Sequence, residues 1–257
     1  MQLLSSPLSP ILLALYTSPL LDITERWTHK DLTLYVNDGA IYATLATTMA
    51  ATAKAHEGLM QSITWLAHNG LEVDHSKTEL MIFQPNRLQP NKVGSERVKM
   101  KFSREAGDIV TTVPSLKLLG IFINHCLQWK THVDTMTNCT RSTIKGINLL
   151  ENSVRGLDFL NWQKVYNRLV IPKLTYGAQV WYTGKGQKGL IARMNTTQNE
   201  GLHKITGVFK TTPVEPIHNL TGIPPISHVL PKLMHAYTNR LKGLNPSLGQ
   251  SPYDTHT

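Results

Sequence analysis

Between Leu34 and Ala43 the chain reads LYVNDGAIYA, with two adjacent oxygen donors, Asn37 and Asp38, at its centre. Neighbouring side-chain oxygens of this kind suit Mg²⁺ or Mn²⁺, which favour hard oxygen ligands. The triplet Asn37-Asp38-Gly39 is equally good turn chemistry, because all three residue types tolerate positive φ and β-prone residues flank them. Local chemistry supports a hairpin turn, and only the surrounding segments bear on whether the pair is also what remains of a metal-binding carboxylate pair. Cys126 and Cys139 offer no zinc spacing and no disulfide framework. Three Asn-x-Ser/Thr sequons begin at Asn138, Asn195 and Asn219, a number that chance supplies in a chain this rich in Asn, Ser and Thr.

The elements that would position these groups follow from pattern. Ser9-Pro10 reads as a helix start, a capping serine followed by proline at the first helical position, with the helix over 11–21. A hairpin over 32–45 places Asn37 and Asp38 at its turn. Leu59, Met60, Ile63, Leu66 and Ala67 recur at helical spacing up to the stop signal Asn69-Gly70. A short strand over 80–83, a basic loop with a weak hairpin over 84–115 and an apolar strand over 116–123 follow. Beyond about residue 126 the pattern is helical. One stripe runs from Trp129 to Leu150, a second from Phe159 to Val170 ends at Pro172, and further helices fall over 173–182, 187–205 and 226–242. The tail from Asn245 reads as loose. The fold class expected is α+β, a mixed unit over 1–126 and a helical unit over 127–257.

Length and charge set limits. The 257 residues, 41% hydrophobic, are enough for a substantial core. A formal charge of +9 favours a polyanionic partner without specifying a fold. The apolar start carries no Lys or Arg before Arg26 and is interrupted by Pro10 and Pro19. It lacks the basic leader of a signal peptide and is too short to cross a bilayer. No membrane partner is expected, and an intracellular setting is favoured over secretion.

Several segments, in order, resemble non-LTR (LINE-type) retrotransposon reverse transcriptases. Ser6-Pro7-Leu8-Ser9-Pro10 with ILLALYTSPLL looks like the family's palm loop and helix, which places Ser6 and Pro7 near nucleotide and template. Tyr35-Val36-Asn37-Asp38-Gly39 is similar to the catalytic Tyr-x-Asp-Asp hairpin, with Asn37 where the first aspartate stands and Tyr35 beside the template. Gly70 through Glu79, GLEVDHSKTE, resembles the segment whose lysine, here Lys77, is implied to face the nucleotide phosphates. There a cation would offset charge on departing pyrophosphate. Leu118 through Trp129 looks like the primer-grip hairpin running into the first thumb helix, which implies Leu119 and Gly120 as primer-grip residues. Trp129 and His132 are expected to be packing residues. IPKLTYGAQVW (171–181), QNEGLHKITG (198–207) and GIPP (222–225) are similar to the region beyond. The resemblance covers roughly residues 6–226 and implies a partial palm followed by a thumb and connecting helices.

It also implies RNA, RNA–DNA hybrid and dNTP as the parent family's partners, and Mg²⁺ or Mn²⁺ held between carboxylates for phosphoryl transfer. Departures from the pattern lead us to expect no polymerase activity. Asn37 removes one charge from the metal site, worth several kcal/mol in a partly dry site by Coulomb estimates. The aspartate-bearing strand that the family carries upstream of the Ser-Pro loop is not in this sequence, leaving Asp38 as the surviving metal carboxylate. Leu4-Ser5 replace the family's Gln-Gly. The competing expectation is a basic nucleic-acid-binding module without catalysis, using Arg97, Lys99 and Lys101 in the loop and Arg141 and Lys145 on a helix. A secreted glycoprotein, the third, requires the palm-like helix to be a signal peptide.

Overall fold

The computed structural model describes residues 7–83, 99–101, 109–148 and 158–244. The fold is α+β, and from Lys130 onward every described element is a helix. The chain divides into two compact units, Met1–Gly120 with Asn124–Cys126, and Ile121–Ile123 with Leu127–Thr257.

In the first unit, α1 spans Ser9–Thr24. Leu8 occupies its N-cap with no side-chain bond, so Ser9 lies inside the first turn rather than capping it. Pro10 is tolerated there because first-turn N–H groups have no intrahelical partner. The helix also runs through Pro19. That proline cannot donate to the carbonyl of Leu15, and the Ser18 hydroxyl donates to it instead at 3.1 Å. Strands β1 (Lys30–Tyr35) and β2 (Asp38–Ala43) pair antiparallel, Lys30 opposite Ala43 and Tyr35 opposite Asp38. Helix α2 (Thr48–His68) starts at Thr47, whose side chain accepts the Ala50 N–H at 3.3 Å. Its far end is tied to α1 by the Tyr16 hydroxyl, which donates to the Asn69 carbonyl at 2.6 Å.

The expected strand over 80–83 reduces to one parallel bridge, Leu80 to Thr112. Leu80 is fixed by packing with Leu59, Ile63 and Val73 around Val110, and the residues after it make no ladder. β3 (Lys99–Lys101) and β4 (Ile109–Thr111) form the weak hairpin expected in the basic region. The apolar run over 116–123 is two strands, β5 (Ser115–Leu118) and β6 (Ile121–Asn124), because Leu119 and Gly120 both adopt positive φ, 47° and 81°. Positive φ at both central residues is the signature of a tight hairpin turn.

The second unit comprises α3 (Lys130–Asn148), α4 (Phe159–Val165), α5 (Ile171–Leu174), α6 (Ala178–Trp181), α7 (Lys188–Thr206), α8 (Val214–Thr221) and α9 (Ile226–Leu244). Pro172 does not end a helix, as its residue type suggests. Between α4 and α5 the backbone widens into a π-turn over Tyr166–Val170, with the Ile171 N–H bonded back to Tyr166. The wider turn takes up a residue that has no N–H and would clash with the preceding turn of a straight helix. The helix expected over 173–182 is broken at Gly177, whose φ is 67° and where a Cβ would stand 3.0 Å from Ile121. His132 is buried against this break: its Nδ1 accepts the Phe122 N–H at 3.4 Å, and its Nε2 lies 2.9 Å from the Tyr176 carbonyl. His132 is thus a packing residue with both ring nitrogens engaged, and Trp129 packs against the neighbouring core.

Two apolar cores meet along α7. One gathers Leu174, Trp181, Met194, Leu230 and Met234. The other gathers Ile144, Trp162, Tyr166, Leu202 and Ile217. Between them the fully buried Gln198 donates to the Pro224 carbonyl at 2.8 Å and accepts the Ile226 N–H at 2.9 Å. Its own carbonyl takes the Tyr166 hydroxyl at 3.0 Å. One turn on, a Cβ on Gly201 would stand 2.9 Å from both Ile144 and Tyr166, which are buried and have nowhere to retreat.

Gly201→Ala is therefore expected to destabilise the protein by about 1–2 kcal/mol, overpacking outweighing alanine's better helix propensity. Gly146→Ala on α3, where a Cβ meets nothing within 4 Å, should stabilise by up to ~1 kcal/mol. Urea midpoints of the two variants moving in opposite directions is the outcome that checks this.

Candidate functional site

The residues singled out for metal chemistry sit at the tip of the β1–β2 hairpin. The turn consists of Val36 and Asn37, one residue earlier than the local turn preference suggests, and Asp38 opens β2 opposite Tyr35. Register explains the shift. Pairing Leu32 with Ile41 buries Leu32 and brings Ile41 to the same face, and a slip of one residue would turn both to the other side. The positive φ then falls on Val36, at 54°, instead of on Asn37, Asp38 or Gly39. A β-branched residue is strained there. Gly39 contributes space, since a Cβ on it would meet Leu34 at 3.2 Å.

Tyr35, Val36, Asn37 and Asp38 are all exposed. The site is therefore wet, and the charge missing at Asn37 is worth less than in a dry cleft. Asp38 and Asp31 project from the same face of the hairpin, four strand positions apart by the pairing of Asp38 with Tyr35. That is about 13 Å at the usual strand rise, too far for one ion. Asp31 is already engaged, accepting the Leu32 N–H at 2.8 Å and the Tyr42 hydroxyl at 2.9 Å. The second bond raises the pKa of the Tyr42 phenol. Among the described residues no three His, Cys, Asp or Glu side chains gather where a metal could be held. The described side chains do not fit a two-metal clamp.

Lys77 closes the 3₁₀ turn His75–Lys77 after α2 and is 82% exposed along its side chain. Its ammonium lies 2.9 Å from Asp74. Asp74 also accepts the Ser76 hydroxyl at 2.6 Å and the Ser76 N–H at 3.1 Å. These bonds, Ser76 first and Lys77 next, pull the Asp74 carboxyl down to about 2. The lysine expected to face phosphates thus holds a local turn.

Leu119 and Gly120 form the tight turn between β5 and β6, with Leu119 42% exposed at its tip. Pro7 is exposed just ahead of α1, whereas Ser6 and Arg97 lie outside the described residues. Lys99 and Lys101 belong to β3. Arg141 on α3 forks onto Glu200 of α7, Nε at 2.8 Å and Nη2 at 3.2 Å from its oxygens, so one carboxylate matches its charge one to one. Lys145 on the same helix is exposed. All three sequons lie inside helices, with Thr140, Thr197 and Thr221 buried and Asn138 and Asn219 exposed.

Models of protein families, curated proteins and solved structures were all compared with the chain, and none matches.

One cluster escaped the sequence reading. Lys30, on the inward face of β1 with Leu32 and Leu34, is 3% exposed along its side chain. It stacks 4.5 Å from the centre of the Trp27 ring and meets Glu57 at 3.0 Å and Gln61 at 3.2 Å. Strand alternation was the available signal, since it puts a charged residue in a core position. Among the described residues no helix is long and apolar enough to cross a membrane.

Two outcomes are expected at the site. Val36→Gly should raise stability by about 1 kcal/mol, strain relief exceeding the entropic cost of glycine, which thermal unfolding checks. The depressed Asp74 carboxyl stabilises the 75–77 turn above the ordinary aspartate pKa, and that contribution is lost as pH falls through about 2. A carboxyl-carbon NMR titration with an ordinary aspartate midpoint would contradict the geometry.

Proposed function

We propose that this chain is a derived, catalytically incompetent relative of non-LTR reverse transcriptases whose remaining activity is weak binding of RNA and RNA–DNA hybrid. The observation that carries the reading is the order of elements around the matching residues. Pro7 leads into α1, and an exposed hairpin tip carries Tyr35, Asn37 and Asp38. Helix α2, the Lys77 turn, the Leu119–Gly120 hairpin and a run of helices follow in that order. This succession supports a partial palm followed by a thumb-like region.

Charge at the hairpin tip underlies the loss of catalysis. In-line phosphoryl transfer needs two divalent ions held between carboxylates. The hairpin tip offers one carboxylate, in water, with an amide beside it. Binding is argued from the basic balance of the chain and from exposed cations such as Lys145 and Lys164 on helices α3 and α4. Contacts of that kind follow phosphate charge with little regard to sequence.

The native chain should extend no primer on an RNA template. Asn37→Asp should tighten Mn²⁺ at the tip by about 2 kcal/mol, roughly thirtyfold, the water-limit value for one added charge near a divalent ion. It should still leave extension at background. Extension by the native chain above an Asp38→Ala control overturns the claim of incompetence. Hybrid affinity that does not fall with salt overturns the binding claim.

A further inference from the structure

At the end of the β1–β2 hairpin away from its tip, a groove of about 840 Å³ opens between the α1–β1 connection and α2. Five strand steps, about 16 Å, separate Lys30 in its floor from Tyr35 at the tip, so the two sites are distinct. Its charged walls are Arg26, Lys30 and Lys54 against the single carboxylate of Glu57, and two indoles, Trp27 and Trp65, line it as well.

The charges are arranged unequally. Lys30 reaches one oxygen of Glu57 at 3.0 Å and Lys54 the other at 2.8 Å. One carboxylate thus serves two ammonium groups, and Arg26 adds a third cation at the rim. The groove carries an excess of positive charge. Lys30 is held in place within it by Glu57, by Gln61 and by the face of Trp27, which costs no mobility at the moment a ligand arrives. Trp65 is half-buried on the wall, one helical turn beyond Gln61. Such a groove selects a ligand that combines flat π surfaces with negative charge. A duplex hides its base faces in its own stack, and an acidic peptide has charge without the faces.

We propose that this groove binds a short stretch of single-stranded nucleic acid, a base stacking on Trp65 and its phosphates meeting Lys54 and Arg26. The site does not depend on the reverse-transcriptase reading, because it shares no residue with the hairpin tip, the Lys77 turn or the helical unit.

The test is fluorescence anisotropy with the full chain and labelled oligo-dT, oligo-U and an abasic oligomer of equal length and charge, each about eight nucleotides. Base-bearing oligomers should bind about tenfold more tightly than the abasic one. Trp65→Ala should remove most of that difference, and Trp65→Phe should keep it within about threefold. Lys54→Ala should lower the slope of log affinity against log salt by about 0.7. The tighter of oligo-dT and oligo-U identifies DNA or RNA as the source, and tight binding of either supports the site. Equal affinity of the native chain for base-bearing and abasic oligomers overturns it, as does unchanged affinity in a Trp65→Ala chain of native circular dichroism. A blunt RNA–DNA hybrid added in parallel reports on the thumb-like surface, so failure of one reading leaves the other standing.

Discussion

The helical unit depends on how closely α7 approaches its neighbours at one place. The missing Cβ of Gly201 lets Ile144 and Tyr166 touch the helix backbone, and the Tyr166 hydroxyl then reaches the Gln198 carbonyl. From the same position the Gln198 amide satisfies both a carbonyl and an N–H of the loop that starts α9. None of these groups could stay buried without the others, because an unsatisfied buried amide costs about 1–3 kcal/mol. The tyrosine phenol accordingly sits well above its ordinary pKa through burial alone. Helices α3, α4, α7 and α9 are positioned by that one contact region.

The first unit solves a different problem. A two-stranded hairpin is marginal in water and needs a partner surface. Here α2 supplies it, and a lysine occupies part of the interface. Lys30 lays its stem against Trp27 and Gly58 and delivers its ammonium to Glu57 and Gln61 on the helix. A charge in that position is tolerable only because each of its neighbours offers it something: a carboxylate, an amide oxygen or an aromatic face. The same groups leave an electropositive, aromatic-walled groove. Stability of the hairpin and chemistry of the groove share residues.

Much of the fold was legible because its longer elements repeat their apolar residues at helical spacing. Helices α2, α7 and α9 fall within a few residues of where their stripes place them, as does the hairpin carrying Asn37 and Asp38. The failures have local causes. Turn preference put the hairpin tip on Asn37 and Asp38, but burial of Leu32 determined the register and moved the strained residue to Val36. Ser9 looked like a cap, and Leu8 holds that position. Helix α8 is eight residues long, too short for a period to stand out. The groove was invisible because its parts come from a connection, a strand and a helix. Lys77 and Arg141 could be named as cations from the sequence, but their partners Asp74 and Glu200 could not.

Core positions Trp162, Tyr166, Val170, Leu174 and Ala178 fall at intervals of four residues, and all are buried. An α-helix of 3.6 residues per turn would let such a series drift about 40° at every step, carrying Leu174 well away from the line begun by Trp162. The π-turn over Tyr166–Val170 gives back part of that rotation. It acts as a phase correction, and the proline that follows holds it in place. Removing one residue from this turn would leave a more regular helix whose downstream end, with Leu174, faces about 100° away from its core.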